Sequence, residues 1–320
     1  MMKKINDIIG DAKTIGIAGH VRPDGDCMGS CMSLYNYLKK NRPDLDVRVF
    51  LEFVDKKFNI IENTDQIITT GYDGTKFDLF ISLDTASLDR LGLNLPFYEN
   101  AKRTACIDHN IDHHASNDGY ADYNYILPKA SSASEVLYDL LDEDLIDKSI
   151  AEPMYMGIAH DSGVFRFQST TPKTMRIAAN MIEKGVNVNM ILEETFFRKT
   201  YNQMMVTAKI QSEAVLALDG KCIYGYCTSE MMEEYGVTTK DLDAVVASIR
   251  NVDGVEVAMF LYQLSENSYK VSLRSKNYVD VSKIAVENGG GGHVRAAGAE
   301  IHGELNDIIN KLLNRIKQDI

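Results

Sequence analysis

The chain has 320 residues, of which 45% are hydrophobic and 25% are charged, and its formal net charge is −12. A single hydrophobic core stops growing at about 250–300 residues, so this length favours two domains. The acidic balance excludes long nucleic acid duplexes as partners, because such duplexes require an extended basic surface. No apolar run approaches the roughly 18 residues of a membrane span, and the first residues lack the apolar block of a signal peptide. We therefore expect a cytoplasmic protein that makes no membrane contact.

The first half of the chain alternates apolar, β-rich runs with helical patterns. A helix is predicted at about residues 29–40, and strands are predicted at residues 14–18, 47–51, 77–83 and 104–107. This alternation is typical of a parallel sheet with helices on both faces, in which ligands bind beyond the carboxyl ends of the strands. The sequence therefore predicts an α/β N-terminal domain, which we place at residues 1–190.

Helix signals become clear towards the middle of the chain. Ser132 and Glu135 form a capping-box pattern, and Thr171 followed by Pro172 marks another helix start that Gly185 ends. Residues 191–211 contain no proline or glycine and predict a helical connector.

The pattern changes to strands after this connector. Strands are predicted at residues 221–228, 255–264 and 269–276, and helices at 280–287 and 306–318. We expect a second, smaller α/β domain over residues 212–320.

Acidic and histidine residues follow the apolar runs of the first half. His20, Asp24 and Asp26 stand on a tight turn after the first strand. Alone, this segment equally fits a solvated turn with an aspartate helix cap. The apolar run at residues 77–83 leads into Asp84 in the same way.

Two further clusters strengthen the pattern. Residues 108–114 read DHNIDHH after a predicted strand, and His160 and Asp161 follow the apolar run at residues 154–159. Carboxylates with a few imidazoles form a hard site that suits Mn²⁺ or Mg²⁺ better than structural zinc. Bridging carboxylates can hold two such ions, which activate a water and bind a phosphoryl group. The sequence therefore predicts hydrolysis of a phosphate ester at four strand ends.

A glycine-rich segment in the second half suggests where phosphate binds. Residues 289–292 are all glycine, and His293 and Arg295 follow directly. Such a segment can form an anion nest of backbone N–H groups, although glycines also occur in flexible linkers. Arg274, on a predicted strand, is a further cation for the substrate.

Five motifs in this order resemble the DHH phosphoesterase family and its associated C-terminal domain. They read HVRPDGDCMGS, ISLDTASLDRLG, IDHHASND, GIAHDSGVFRFQSTTP and SLRSKNYVDVSKIAVENGGGGHVRAAGAEI. Within the family, the chain looks most like the bifunctional oligoribonucleases that also act as phosphatases of 3′-phosphoadenosine-5′-phosphate (pAp).

The resemblance implies specific site residues. Two Mn²⁺ ions, or Mg²⁺, are expected on His20, Asp24, Asp26, Asp84, Asp161 and one histidine of the DHH motif. Asp112 and His114 are the implied catalytic pair, and the substrate-binding residues are expected to be Arg274, Gly291, Gly292, His293 and Arg295.

The DHH segment departs from the family pattern by what looks like a four-residue insertion or partial duplication. Spacing from Asp84 points to His109 as the metal ligand, whereas the literal motif points to His113. We favour His113 with His114 as its catalytic partner, and keep His109 as the alternative.

The expected reaction is attack of a metal-activated water on phosphorus. It would release 5′-mononucleotides from short single-stranded RNA and AMP from pAp. Hydrolysis of cyclic di-AMP or pApA is an alternative, as is a nucleotide-binding protein without catalysis. A homodimer is compatible with the sequence.

Overall fold

The structure is a computed structural model that describes residues 4–109, 119–242 and 245–320. It divides into two compact units, Met1–Arg198 and Lys199–Ile320. In the first unit, the helices and strands are α1 (Ile5–Ile9), β1 (Thr14–Ala18), α2 (Gly25–Asn41), β2 (Asp46–Phe50), β3 (Leu79–Leu83), α3 (Leu95–Glu99), β4 (Thr104–Asp108), β5 (Tyr123–Ile126), α4 (Ala133–Leu140), α5 (Lys148–Asp161), α6 (Pro172–Glu183) and α7 (Val188–Leu192).

The first unit is built on a parallel sheet. Within the described residues its strand order is β2-β1-β3-β4-β5, with every neighbouring pair parallel. The order changes direction at β1, where the chain adds strands first on one side and then on the other. The carboxyl ends of β1, β3 and β4 therefore lie side by side at one edge of the sheet.

Alternate residues of the strands pack into two different cores. Ile15 and Ile17 of β1 belong to a large core with α2, α4 and α5, whereas Phe80 of β3 belongs to an aromatic core with Phe50 and Phe97. Side chains alternate between the faces of a sheet, so both faces of these apolar strands are buried. The prediction of a parallel sheet with helices on both faces is confirmed.

Two local expectations need correction. The helix predicted at residues 29–40 begins earlier, because Asp24 is its N-cap and accepts the backbone N–H groups of Asp26 and Cys27 at 3.0 and 3.1 Å. Asp161 does not follow a strand but is the last residue of α5. The apolar run before it is the buried face of this helix, and a run of this length does not distinguish a buried strand from a buried helix.

The second unit contains a mixed sheet. Its elements are α8 (Tyr201–Glu213), β6 (Val215–Ala217), β7 (Cys222–Cys227), α9 (Ser229–Tyr235), α10 (Val245–Ile249), β8 (Val257–Ser265), β9 (Ser268–Ser275), α11 (Val281–Val286), β10 (Gly291–His293), β11 (Ala296–His302) and α12 (Leu305–Ile316). The order is β10-β11-β9-β8-β7-β6, and among the described strands β7 and β8 form the parallel pair. Helices α11 and α12 pack on one face, and α8 and α10 pack on the other.

The chain is largely helical on both sides of the boundary between the two units. After α7 the backbone widens into a π-helical turn, Glu193–Phe197, and α8 then starts at Tyr201 with Thr200 as its N-cap. Across the described ranges, we find no helix with the length and apolar character needed to cross a bilayer.

Candidate active site

The imidazole of His20 is oriented by the backbone. His20 lies two residues beyond β1, and its Nδ1 donates to the carbonyl of Val21 at 2.7 Å. This bond leaves Nε2 facing two carboxylates, Asp84 Oδ2 at 3.4 Å and Asp24 Oδ2 at 3.7 Å. Asp24 thus has two roles, because one of its oxygens caps α2 while the other faces His20. Asp24 is therefore the helix cap that the alternative interpretation expected, and it also lies beside His20.

Asp26 is fixed by the first turn of a different helix. Its Oδ2 accepts the N–H of Ala133 at 2.6 Å, and its Oδ1 accepts the N–H of Ser134 at 3.0 Å. Both donors belong to the start of α4, where backbone N–H groups have no partner within the helix. The carboxylate is fully buried, and these two bonds hold it in one orientation.

Asp84 and His109 come from neighbouring strand ends. Asp84 follows β3 with a left-handed backbone (φ 51°), and its N–H donates to the carbonyl of Ile107 at 3.1 Å. His109 directly follows β4, and its Nε2 lies 3.0 Å from Asp161 Oδ2, 3.7 Å from Asp84 Oδ1 and 4.0 Å from Asp26 Oδ2. The strand-end prediction is thus met by β1, β3 and β4.

These side chains form two groups of potential ligands among the described residues. One group is His20, Asp24 and Asp84, and the other is Asp26, Asp84 and His109; within each group the ligand atoms lie within 4.8 Å of one another. Asp84 belongs to both groups and lies between the two imidazoles.

The electrostatics of the cluster favour added positive charge. Burial by itself lowers the pKa of His20, but Cys27, Asp24 and Asp84 raise it to about 12. Burial likewise opposes protonation of His109, yet Asp161 and the other carboxylates raise its pKa to about 10. Conversely, the pKa of Asp26 is raised, chiefly by burial and also by repulsion from Asp84 and Asp161. Cations that bind here therefore relieve the repulsion among buried carboxylates.

The residues present fit a pair of hard divalent cations. Their donors are carboxylate oxygens and imidazole nitrogens, which suit manganese and magnesium. A carboxylate shared by two ligand groups is the arrangement that two neighbouring ions require.

His160, to which the sequence assigned no role, directly precedes Asp161 in α5. Thr195 donates its hydroxyl proton to the carbonyl of Ile191 at 2.7 Å, so Nε2 of His160 donates to Thr195 Oγ1 at 2.9 Å. The ring packs between Phe58 and Phe196, with centroids 6.0 and 5.2 Å away. Burial, with a smaller effect from Lys57, lowers the pKa of His160 to about 4, so it is a neutral hydrogen-bond donor.

Asp112, His113 and His114 lie outside the described residues. The position beside Asp26, Asp84 and Asp161 is taken by His109, the alternative ligand.

The predicted substrate residues of the second unit lie around the β10–β11 hairpin. Gly291, Gly292 and His293 form β10, and Arg274 on β9 is the register partner of Ala296 on β11. Gly292 has φ 138° and a Cβ there would lie 2.6 Å from the carbonyl oxygen of Ala296, so a side chain is excluded. His293 is exposed.

Part of the glycine-rich segment forms hydrogen bonds within the second unit. The N–H groups of Gly289 and Gly290 donate to the carbonyls of Val286 and Ala285, at 3.0 and 2.9 Å, and end helix α11. Two N–H groups of the expected anion nest therefore serve as a helix cap.

Comparison with known proteins agrees with this architecture. Residues 14–158 match the family model described as DHH family, N-terminal domain, and residues 219–319 match the DHHA1 domain. The bifunctional oligoribonuclease and PAP phosphatase NrnA of Thermus thermophilus is 31% identical over 314 residues, covering 96% of this chain and 90% of that protein. The NrnA of Bacillus subtilis is 27% identical, covering 90% of each chain.

The fold has a solved counterpart. An exopolyphosphatase-related protein from Bacteroides fragilis superposes with a TM-score of 0.87 at 22% identity, covering 98% of this chain and 95% of that one. The two groups of potential ligands at the carboxyl ends of the strands, together with these matches, define a phosphoesterase. The chain belongs to the DHH family, with a DHH domain followed by a DHHA1 domain, as its motifs predicted.

Proposed function

We propose that this phosphoesterase hydrolyses short oligoribonucleotides to 5′-mononucleotides and converts pAp to AMP, using two Mn²⁺ ions or Mg²⁺. The observation that carries this proposal is the shared carboxylate of Asp84, which lies 3.4 Å from His20 and 3.7 Å from His109. The substrate class is supported by relatives named as oligoribonucleases and PAP phosphatases, which match 90% or more of this chain.

Each ligand group would hold one ion. His20, Asp24 and Asp84 would bind the first ion, and Asp26, Asp84, His109 and Asp161 the second. When bound, the ions supply Lewis acidity, which lowers the pKa of a water molecule and withdraws charge from a phosphoryl group.

The chain's own contribution is to fix its ligands before substrate arrives. The Val21 carbonyl sets the ring of His20, and the start of α4 sets the carboxylate of Asp26. Preorganised ligands avoid the cost of reorientation during the reaction. We propose His109 rather than His113 as the histidine of the second group, because its ring already lies against Asp161, Asp84 and Asp26.

The second unit would supply the contacts to the nucleotide. Exposed His293 and the side chain of Arg274 are the donors that we propose for the substrate phosphate, with Gly291 and Gly292 allowing close approach of the backbone.

Chromatographic product analysis tests this function. Purified protein with Mn²⁺ should yield AMP from pAp and 5′-mononucleotides from RNA dimers to pentamers, and should leave cyclic di-AMP and pyrophosphate intact. If cyclic di-AMP is the one compound hydrolysed, the proposed substrate class is wrong. If no compound yields a product, the protein binds nucleotides without catalysis.

A further inference from the structure

Glu256 is a buried carboxylate that organises a loop of the second unit. It lies just before β8, and only 2% of its surface is exposed. Its Oε1 accepts the backbone N–H groups of Asn277, Tyr278 and Val279 at 3.0, 2.8 and 3.0 Å. Burial alone would raise the pKa of Glu256, but these N–H bonds outweigh burial and lower it, so the carboxylate is ionised.

The same loop is held from its carbonyl side by Arg295. Nη1 of Arg295 donates to the carbonyl of Val279 at 2.8 Å, and Nη2 donates to the carbonyl of Asn277. The N–H groups of residues 277–279 thus face a negative charge, and the carbonyls of Asn277 and Val279 face a positive charge. In the peptide unit that joins Asn277 to Tyr278, the carbonyl accepts from Arg295 and the N–H donates to Glu256, so these two interactions strengthen one another.

The residues on either side of this loop bind the β10–β11 turn. The N–H of Ser275 donates to the carbonyl of Arg295 at 3.1 Å, and the N–H of Val281 donates to the carbonyl of Val294 at 3.0 Å. The turn joins His293 to Ala296, so its position determines where His293 lies.

We infer that Glu256 and Arg295 are a pair of positioning residues that clamp residues 277–279, and that Arg295 does not bind the substrate phosphate directly. The fork of its guanidinium is directed at two backbone carbonyls, which assigns it to the loop. Phosphate recognition then falls to His293 and Arg274. The clamp itself is independent of activity, whereas its effect on substrate rests on the proposed function.

Hydrogen exchange of the full chain tests the clamp without substrate. In Glu256→Gln and Arg295→Ala, the amides of residues 277–279 should exchange at least about tenfold faster, because each variant removes charge-assisted bonds. Arg295→Lys should behave like Arg295→Ala, since an ammonium lacks the planar fork. Glu266→Gln, which changes an exposed carboxylate of the same unit, should leave the rates unchanged.

Protection of the neighbouring strands β8 and β9 reports whether each variant remains folded. Unchanged exchange at residues 277–279 in folded Arg295→Ala would overturn the clamp.

Kinetics with pAp distinguish a positioning role from a phosphate contact. If the pair acts as a clamp, Glu256→Gln and Arg295→Ala should each raise KM by roughly tenfold with kcat within a few fold, and the double variant should add little. If Arg295 instead binds phosphate as a free charge, removal of the Glu256 charge should leave KM unchanged or lower it. An unchanged or lowered KM in Glu256→Gln would refute the inference. Wild-type protein without activity on pAp would contradict the proposed function and leave the exchange result valid.

Discussion

Nε2 of His20 lies 3.4 Å from Oδ2 of Asp84, while the other oxygen of Asp84 faces a second imidazole. One carboxylate at the end of β3 therefore serves both ligand groups. The left-handed backbone at Asp84 places its side chain between the ends of β1 and β4, a conformation that aspartate and asparagine tolerate better than most residues. The site depends on the strand order, which puts β3 between these two strands.

Metal content tests whether His109 or His113 is the histidine ligand of the second group. His109→Ala should lower bound manganese and reduce turnover by more than about a hundredfold, because it removes a nitrogen donor that faces three carboxylates. His113→Ala should retain its manganese to within a few fold, whatever its effect on turnover. Metal loss in His113→Ala alone would reverse the assignment.

Gly157 tests the support of Asp26. A Cβ at this position would overlap Ser134 Oγ and lie 2.7 Å from Asp26 Oδ1, so Gly157→Ala should displace the buried carboxylate. We expect at least a roughly tenfold loss of activity together with weaker manganese binding. The matched control is Gly71→Ala, whose Cβ would come no closer than 3.4 Å to its neighbours and should be neutral. Equal activity of both variants would show that this support is unnecessary.

Asp78 gives a prediction for stability and pH. It accepts Lys102 Nζ at 2.7 Å and the N–H groups of Lys13 and Thr14 at 2.9 and 3.1 Å, and these partners lower its pKa. A lowered pKa stabilises the fold above the unfolded value of about 4, and this stability is lost as pH falls through the folded pKa.

Asp78→Asn should therefore lower the free energy of unfolding at pH 7 by about 1–2 kcal/mol. In urea unfolding, the difference in free energy of unfolding between wild type and Asp78→Asn should become smaller below about pH 4. Asp89→Asn, at an exposed aspartate of the same unit, provides the control. A difference that grows with acidity would have the wrong sign for this explanation.

Features with a local cause were predictable from the sequence. The strand predicted at residues 14–18 coincides with β1, and Thr171 caps α6 with Pro172 in its first turn. These signals depend on apolar runs and cap chemistry within a few residues. The strand-end positions of Asp84 and His109 also followed from them, because the carboxyl ends of parallel strands share one edge.

Features with a distant cause were not predictable. Asp26 is anchored by residues more than 100 positions away at the start of α4, and His160 is held by Thr195 from the π-helical turn. Strand β5 was missed because its residues, YNYI, are partly exposed and carry no continuous apolar run. The opposing contacts of Glu256 and Arg295 likewise join segments that no spacing rule connects.

Metal analysis of Asp84→Asn beside Asp24→Asn tests the shared-carboxylate account most directly. Both substitutions are conservative, since asparagine still tolerates the backbone of Asp84 and can still cap α2 in place of Asp24. After saturation with Mn²⁺ and removal of excess ion, we expect about two ions per wild-type chain, about one in Asp24→Asn and close to none in Asp84→Asn. Hydrolysis of pAp should be lost in Asp84→Asn. Retention of both ions and of wild-type hydrolysis by Asp84→Asn would contradict the account.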